Sequence, residues 1–303
     1  MEHVIGAVLV PLDGSSLAEA ALPVGQRLAV RLDCPLHLVR VIDADVSAET
    51  ERRAQQALWD AARRAGAQAH LHLRVGEAAD QILAEAANLR QPLVVMTTHG
   101  RSGLGRWAFG SVADRVVRGG EAPVLLLRSG VTAPESVGFE RLLVPLDGSA
   151  LAKDALPYAV ALARLYGAEL HLVRVAETTH LFMVMGVDAA PMPADVMNQM
   201  IADLVGEAQA YLEPVVARMR GDGLTVVSAV VDGIPAEALL GYATSHGIDL
   251  VVLATHGRGG FNRLVLGSVA ERLLRLAPIP ILMVPAAAVA EVPVTDERQG
   301  SAR

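Results

Sequence analysis

The sequence predicts an α/β protein built from two tandem copies of one doubly wound domain, each a five-stranded parallel sheet with helices on both faces. Three observations predict it. First, two phrases recur in the same order. The first half reads VLVPLDGS (Val8 to Ser15) and later THGRSGLGRWAFGSVADRVVR (Thr98 to Arg118). The second reads LLVPLDGS (Leu142 to Ser149) and later THGRGGFNRLVLGSVAERLLR (Thr255 to Arg275). Second, short β-branched runs almost free of charge alternate with segments that are apolar at three- and four-residue spacing. That is the pattern of strands buried on both faces between amphipathic helices. Third, 303 residues with 52% hydrophobic and 19% charged side chains suffice for two ordinary cores.

In order, the first half places strands at Ile5 to Val10, Leu36 to Ile42, Ala69 to Val75, Leu93 to Thr97 and Val124 to Leu127. Helices are expected between them at Ser16 to Val30, Ala48 to Ala65, Glu77 to Asn88 and Ser111 to Arg118. Ser15 or Ser16 caps the first of these by accepting from its free N–H groups. The second half repeats the strands at Arg141 to Pro145, Glu169 to Val175, Thr225 to Val231, Leu250 to Ala254 and Ile279 to Val284. Strand and helix in strict alternation demand a parallel sheet with right-handed crossovers. The ligand crevice then opens at the carboxyl ends of the strands, where strand order reverses.

Two spacings locate the difference between the copies. Asp13 and Asp147 lie 134 residues apart, whereas Gly100 and Gly257 lie 157 apart, so the second copy carries 23 extra residues. They fall between Val175 and Gly233 and include the Met-rich run His180 to Met185 and the prolines Pro191 and Pro193. A helical pattern from Asp195 to Met219 follows. The bland expectation is a helix extension packed on the protein; the sharper one is a lid or protein-contact surface beside the second site. The expected divisions are a first domain at 1–130, a second at 138–287 with its insertion at about 178–200, and a disordered tail at 288–303.

Composition excludes several classes. A net charge of −7 and a pI near 5.7 oppose a nucleic-acid surface. No apolar run reaches the roughly 18–20 residues that span a bilayer, and Met1 to Leu12 lacks the marks of a signal peptide. Cys34 is the one cysteine, which fits a reducing cytoplasm and a core-filling role. Lys153 is the one lysine, so neither half can form a GxxxxGK[ST] phosphate loop. Phosphate would have to be held by backbone N–H groups, hydroxyls and arginine.

The repeated phrases supply such groups. Asp13-Gly14-Ser15 and Asp147-Gly148-Ser149 follow an apolar strand, where they serve as a turn and helix cap or present a carboxylate to an adenine amino group or ribose. His99-Gly100 and Gly110-Ser111 bracket a loop that ends at a helix N-terminus, as do His256-Gly257 and Gly267-Ser268. Helix N-termini offer unpaired N–H groups and partial positive charge to phosphate oxygens. Arg101 and Arg106, with Arg258 and Arg263 in the second copy, add charge-assisted contacts. His99 and His256 either donate to phosphate or cap the turn. His3, His37, His70, His72 and His171 read as scattered surface or strand-end residues, and no metal cluster or nucleophile–base pair is expected.

On these residues each half resembles a universal stress protein domain, over roughly 3–128 and 139–285, and the whole resembles a tandem member of that family. The resemblance implies a Rossmann-like, adenine nucleotide alpha hydrolase-like fold. The signature of the ATP-binding members, G-x2-G-x9-G-[ST], is matched in its later part by Gly100, Gly110 and Ser111 and by Gly257, Gly267 and Ser268. Its first glycine is Thr97 in one half and Ala254 in the other, which makes the second site the less crowded. The resemblance implies ATP, AMP or ADP, with Mg2+ held through the phosphates. The implied contacts are Pro11, Asp13, Val41, Thr97, His99, Gly100, Arg101, Gly110, Ser111 and Val112. Their second-half counterparts are Pro145, Asp147, Val175, Ala254, His256, Gly257, Arg258, Gly267, Ser268 and Val269. Val41 and Val175 would meet adenine through backbone groups. Family members also dimerise through the last strand, so Val124 to Leu127 and Ile281 to Val284 are expected to pair as an internal pseudo-dimer. A homodimer of chains stays open.

Three functions follow. The leading one is a stress-response module that binds or senses adenine nucleotide with little or no catalysis. The alternatives are a slow ATP hydrolase or adenylyl-transfer enzyme, and a dimerisation scaffold that binds no nucleotide.

Overall fold

The computed structural model describes residues 4–64, 66, 68–98, 110–128, 138–178, 193–255 and 266–289. The first half runs β1 (Ala7–Pro11), α1 (Ser16–Glu19), α2 (Leu22–Leu32), β2 (Leu36–Ile42), α3 (Ala48–Arg64), β3 (Ala69–Val75), α4 (Ala78–Ala87), β4 (Pro92–Thr97), α5 (Ser111–Gly119) and β5 (Val124–Leu127). The second runs β6 (Arg141–Pro145), a 3-10 turn (Leu151–Ala155), α6 (Leu156–Tyr166), β7 (Glu169–Ala176), α7 (Ala194–Gly221), β8 (Val226–Asp232), α8 (Pro235–Ser245), β9 (Leu250–Ala254), α9 (Ser268–Leu276) and β10 (Ile281–Val284).

The two expected sheets are one. Strand order is β3-β2-β1-β4-β5-β10-β9-β6-β7-β8, and the halves join where β5 meets β10 antiparallel, Leu125 opposite Leu282. Every other neighbouring pair is parallel. The pairing expected between the two last strands is therefore present inside the chain, and among the described residues it leaves β3 and β8 as the edges. Those edge strands correct the expectation that all strands are buried on both faces, because most of their residues are half-exposed.

Side chains alternate across the sheet into two cores that both run through the junction. Val8 and Val10 join α2, α3, α6 and α7 on one face, whereas Leu9 and Val39 join α4, α5, α8 and α9 on the other. Gly25 sets how closely α2 approaches β1, since a Cβ there would stand 2.4 Å from Val10 Cγ2. Arg128, at the end of β5, donates to the Ala277 carbonyl at 2.5 Å, and Arg31 of α2 lies 4.8 Å over the Tyr166 ring of α6. Both contacts tie one half to the other.

Three sequence expectations change. The helix expected over Ser16 to Val30 breaks at Ala20 and Ala21, because Pro23 in the first turn of α2 lacks the N–H that would continue the ladder. Pro157 does the same in the second copy, where a 3-10 turn precedes α6. The tail placed from 288 starts too early: Ala286–Val289 forms a 3-10 turn, and Ala288 is buried, its carbonyl accepting from the Tyr158 hydroxyl at 3.3 Å. Residues 290–303, and the insertion segment 179–192, lie outside the described residues. Third, His37 and His171 are buried, not surface residues, at 9% and 3% exposure.

Candidate functional site

Strand β1 lies between β2 and β4, so the chain leaves it in opposite directions and opens a crevice at its carboxyl end. Beyond Pro11 the backbone stays pinned, with Leu12 N donating to the Val39 carbonyl at 2.8 Å. Asp13 then turns the chain. Its Oδ1 accepts from Ser15 N at 2.8 Å and Ser15 Oγ at 2.6 Å, while Ser15 Oγ caps α1 through Ala18 N at 3.1 Å. Gly14 sits at φ +84°, a conformation that favours glycine. Asp13 thus has the turn role and also stands at the crevice mouth.

The opposite wall comes from β4 and α5. Gly110 N donates to the Thr98 carbonyl at 2.8 Å, which sets the start of α5 against the end of β4. Gly110 is the N-cap residue and supplies no side-chain acceptor to the first N–H groups of α5. Those groups and the positive end of the helix dipole face the crevice. Val41, Ile82 and Met96 form an apolar slot beside them.

The resulting crevice holds about 850 Å³ of empty space, counting the part open to solvent at its mouth. Pro11, Asp13, Val41, Thr97, Gly110, Ser111 and Val112 all line it. His99, Gly100 and Arg101 lie outside the described residues, as do Arg106, His256, Gly257, Arg258 and Arg263. Sequence reasoning missed Val39, Ala78, Ile82, Met96 and Thr98, which also line the crevice. The first four are apolar and carry no motif; only their shared strand face or helix turn could have revealed them.

The second half rebuilds the same frame. Strand β6 lies between β7 and β9, and Leu146 N donates to the Val173 carbonyl at 2.8 Å. Asp147 Oδ1 accepts from Ser149 N at 2.8 Å, and Ser149 Oγ caps the following turn through Ala152 N at 3.1 Å. Gly267 N donates to the Thr255 carbonyl at 3.1 Å and caps α9, whose first residues are Ser268 and Val269. Pro145 ends β6, Val175 stands near the end of β7 and Ala254 ends β9, so these residues converge as their counterparts do. One difference is plain: Thr97 is 6% exposed, whereas Ala254 is half-buried. Another lies at the rim. Thr178, just before the insertion, donates through Oγ1 to Asp232 Oδ1 at 2.6 Å and fastens the insertion's start to the end of β8.

The fold defines a tandem Rossmann-like α/β protein, with a crevice at the switch point of the first half and the same backbone frame in the second. A model of the universal stress protein family matches residues 5–128 and again 138–285. The chain therefore belongs to the universal stress protein family, as a tandem two-domain member. A universal stress protein of Mycobacterium tuberculosis is 28% identical over 295 residues, covering 91% of this chain and 96% of the relative. One from Methanocaldococcus jannaschii is 29% identical over 150 residues, covering 48% of this chain and 82% of the relative. Among solved structures, a universal stress protein from Archaeoglobus fulgidus superposes with a TM-score of 0.70 at 22% identity. That likeness covers 92% of this chain and 98% of the other, and shows that the fold is shared. No described helix is long and apolar enough to cross a membrane.

Proposed function

We propose that each half binds an adenine nucleotide, ATP or its mono- or diphosphate, and that the protein is a nucleotide-binding or nucleotide-sensing stress module of the cytoplasm with little or no catalysis. The observation that carries this reading is the first-half crevice, where an apolar slot runs from Val41 to the N-terminus of α5 past Asp13. The residues fit the ligand in kind. The slot suits a purine face, the carboxylate of Asp13 suits amino or hydroxyl donors, and the N–H groups at Ser111 and Val112 suit phosphate. The second half offers the same kinds of group in the same order. Mg2+ would be held chiefly through the phosphates, since Asp13 and Asp147 already accept from their own turns. The chain has one lysine, Lys153, and neither half can form a GxxxxGK[ST] phosphate loop, which is why turnover is expected to be slow.

Nucleotide released from purified protein and identified by chromatography tests the reading. Adenine nucleotide is expected in the wild type, or taken up when ATP is added, and the Gly110→Val, Gly267→Val double variant is expected to lose it. Gly110 and Gly267 lie at φ −64° and −61°, ψ 141° and 147°, extended backbone that valine also adopts. Loss would therefore report bulk at the phosphate position, not refolding. Wild-type protein that is empty and ignores added ATP would support the scaffold reading, which the buried Thr97 favours for the first half. Several turnovers of ATP per minute would favour the enzyme.

A further inference from the structure

The described residues of the first half hold a cluster of histidines around a buried carboxylate. Strands β2 and β3 pair with His37 opposite His70 and Val39 opposite His72, which brings three imidazoles onto the sheet face that α4 covers. His37 Nδ1 lies 2.9 Å from His72 Nε2, and the His70 ring stacks on His37 with centroids 4.7 Å apart. Glu85 of α4 reaches the same point. Its Oε1 is 3.2 Å from His72 Nδ1, while Oε2 holds Arg74 at 2.7 Å. Glu85 is 4% exposed, a depth at which a carboxylate needs partners. One nitrogen from each of His37 and His72 and one Glu85 oxygen lie within 4.8 Å of one another.

We propose that His37, His72 and Glu85 form a binding site for a divalent transition metal of the zinc class, apart from the nucleotide crevice. Two imidazoles facing nitrogen to nitrogen at 2.9 Å must share either a proton or a metal. Tetrahedral zinc with bonds of about 2.0–2.1 Å sets two ligand nitrogens about 3.3 Å apart. The observed gap has to widen by a few tenths of an ångström. Two imidazoles and one carboxylate suit zinc or a neighbouring first-row metal, with water in the remaining position. Arg74 holds Oε2 and its Nη2 also lies 3.4 Å from His72 Nδ1, so it fixes the carboxylate against the ring as an outer-shell partner. Along β2, His37 is two residues before Val39, the nearest crevice-lining residue on that strand, about 7 Å away at strand rise, and none of the three proposed ligands lines the crevice itself.

The second copy is an internal control. Its matching positions are His171, Ala229 and Tyr242, and His171 Nδ1 meets the Tyr242 hydroxyl at 2.9 Å. Nε2 of that buried histidine stands 2.7 Å from Glu169 Oε1, and the His246 ring lies 6.0 Å away, centroid to centroid. The first copy instead sets two imidazole nitrogens face to face at 2.9 Å with a buried carboxylate beside them, close enough together for one ion to meet all three residues.

Untagged full-length protein, stripped with chelator, is titrated with Co2+ followed by its visible absorption, then with Zn2+. One Co2+ per chain, displaced by Zn2+, is expected. His72→Ala should abolish that binding, and Glu85→Gln should weaken it by about tenfold or more. His246→Ala, in the second half, should leave it unchanged. His72 lies on an edge strand, and the second copy already has alanine at its position, so the variant keeps the fold; an unaltered far-UV spectrum checks this. Absence of saturable Co2+ binding in the wild type, or full stoichiometry and affinity in His72→Ala, overturns the proposal.

Discussion

At the scale of single residues, one side chain often has both a structural and a chemical part. Asp13 closes its own turn through Ser15 and still lines the crevice, so the turn reading and the ligand reading hold together. His171 is different: its surroundings are wholly structural. Nδ1 meets Tyr242, and Nε2 lies 2.7 Å from Glu169 Oε1, off the direction of a good hydrogen bond. Burial holds the imidazole below its ordinary value of 6.5, against the raising pull of Glu169 and with His246 and Arg141 lowering it further. The unfolded chain therefore binds more protons than the folded one once pH drops below about 6.5, and stability falls with it. Thermal melts from pH 7 to 5 should show a shallower loss in His171→Phe than in the wild type. Equal slopes would mean that His171 titrates normally in the fold. Asp13 and Gly110 were legible at this scale because they recur. Ile82 and Met96 were not, since an apolar residue that lines a crevice looks like any other core residue.

At the scale of elements, nearly every strand was legible from its apolar run, and Leu36–Ile42, Ala69–Val75 and Val124–Leu127 have the bounds that the sequence suggests. The break between α1 and α2 was missed because three- and four-residue periodicity continues through Pro23, while the backbone ladder does not. Close helix–strand contact at Gly25 was also invisible in the pattern. Gly25→Val should destabilise the protein by about 1–3 kcal/mol, the usual cost of overpacking a filled core. Its chemical denaturation midpoint should fall accordingly, and an unchanged midpoint would show that α2 can shift away from Val10 without strain. The histidine cluster belongs to this scale too. His37 and His72 are 35 residues apart in sequence, and only the β2–β3 register, with α4 laid over it, unites them with Glu85.

At the scale of the whole molecule, the halves are not beads on a string. The β5–β10 pairing makes one sheet, and both hydrophobic layers cross it without a gap. Leu282 is fully buried there opposite Leu125, which is 1% exposed. Both tryptophans, Trp59 and Trp107, lie in the first half, so their fluorescence reports that half while far-UV circular dichroism reports both. The two signals are expected to melt together in the wild type. In Leu282→Asp, which buries an unpaired charge at the junction, they should separate. Coincident melts in a folded Leu282→Asp would show that the junction does not couple the halves.

The sequence by itself determined the duplication, the alternating α/β order, the family and the ends of the strands where each crevice opens. These are local or repeated properties, written in periodicity and in turn residues that work through their immediate neighbours. Only the tertiary structure decided that the two sheets are one, which apolar residues wall the crevice, and that His37, His72 and Glu85 meet. Strand register and helix placement bring together residues far apart in the chain, and no spacing along the sequence encodes that distance.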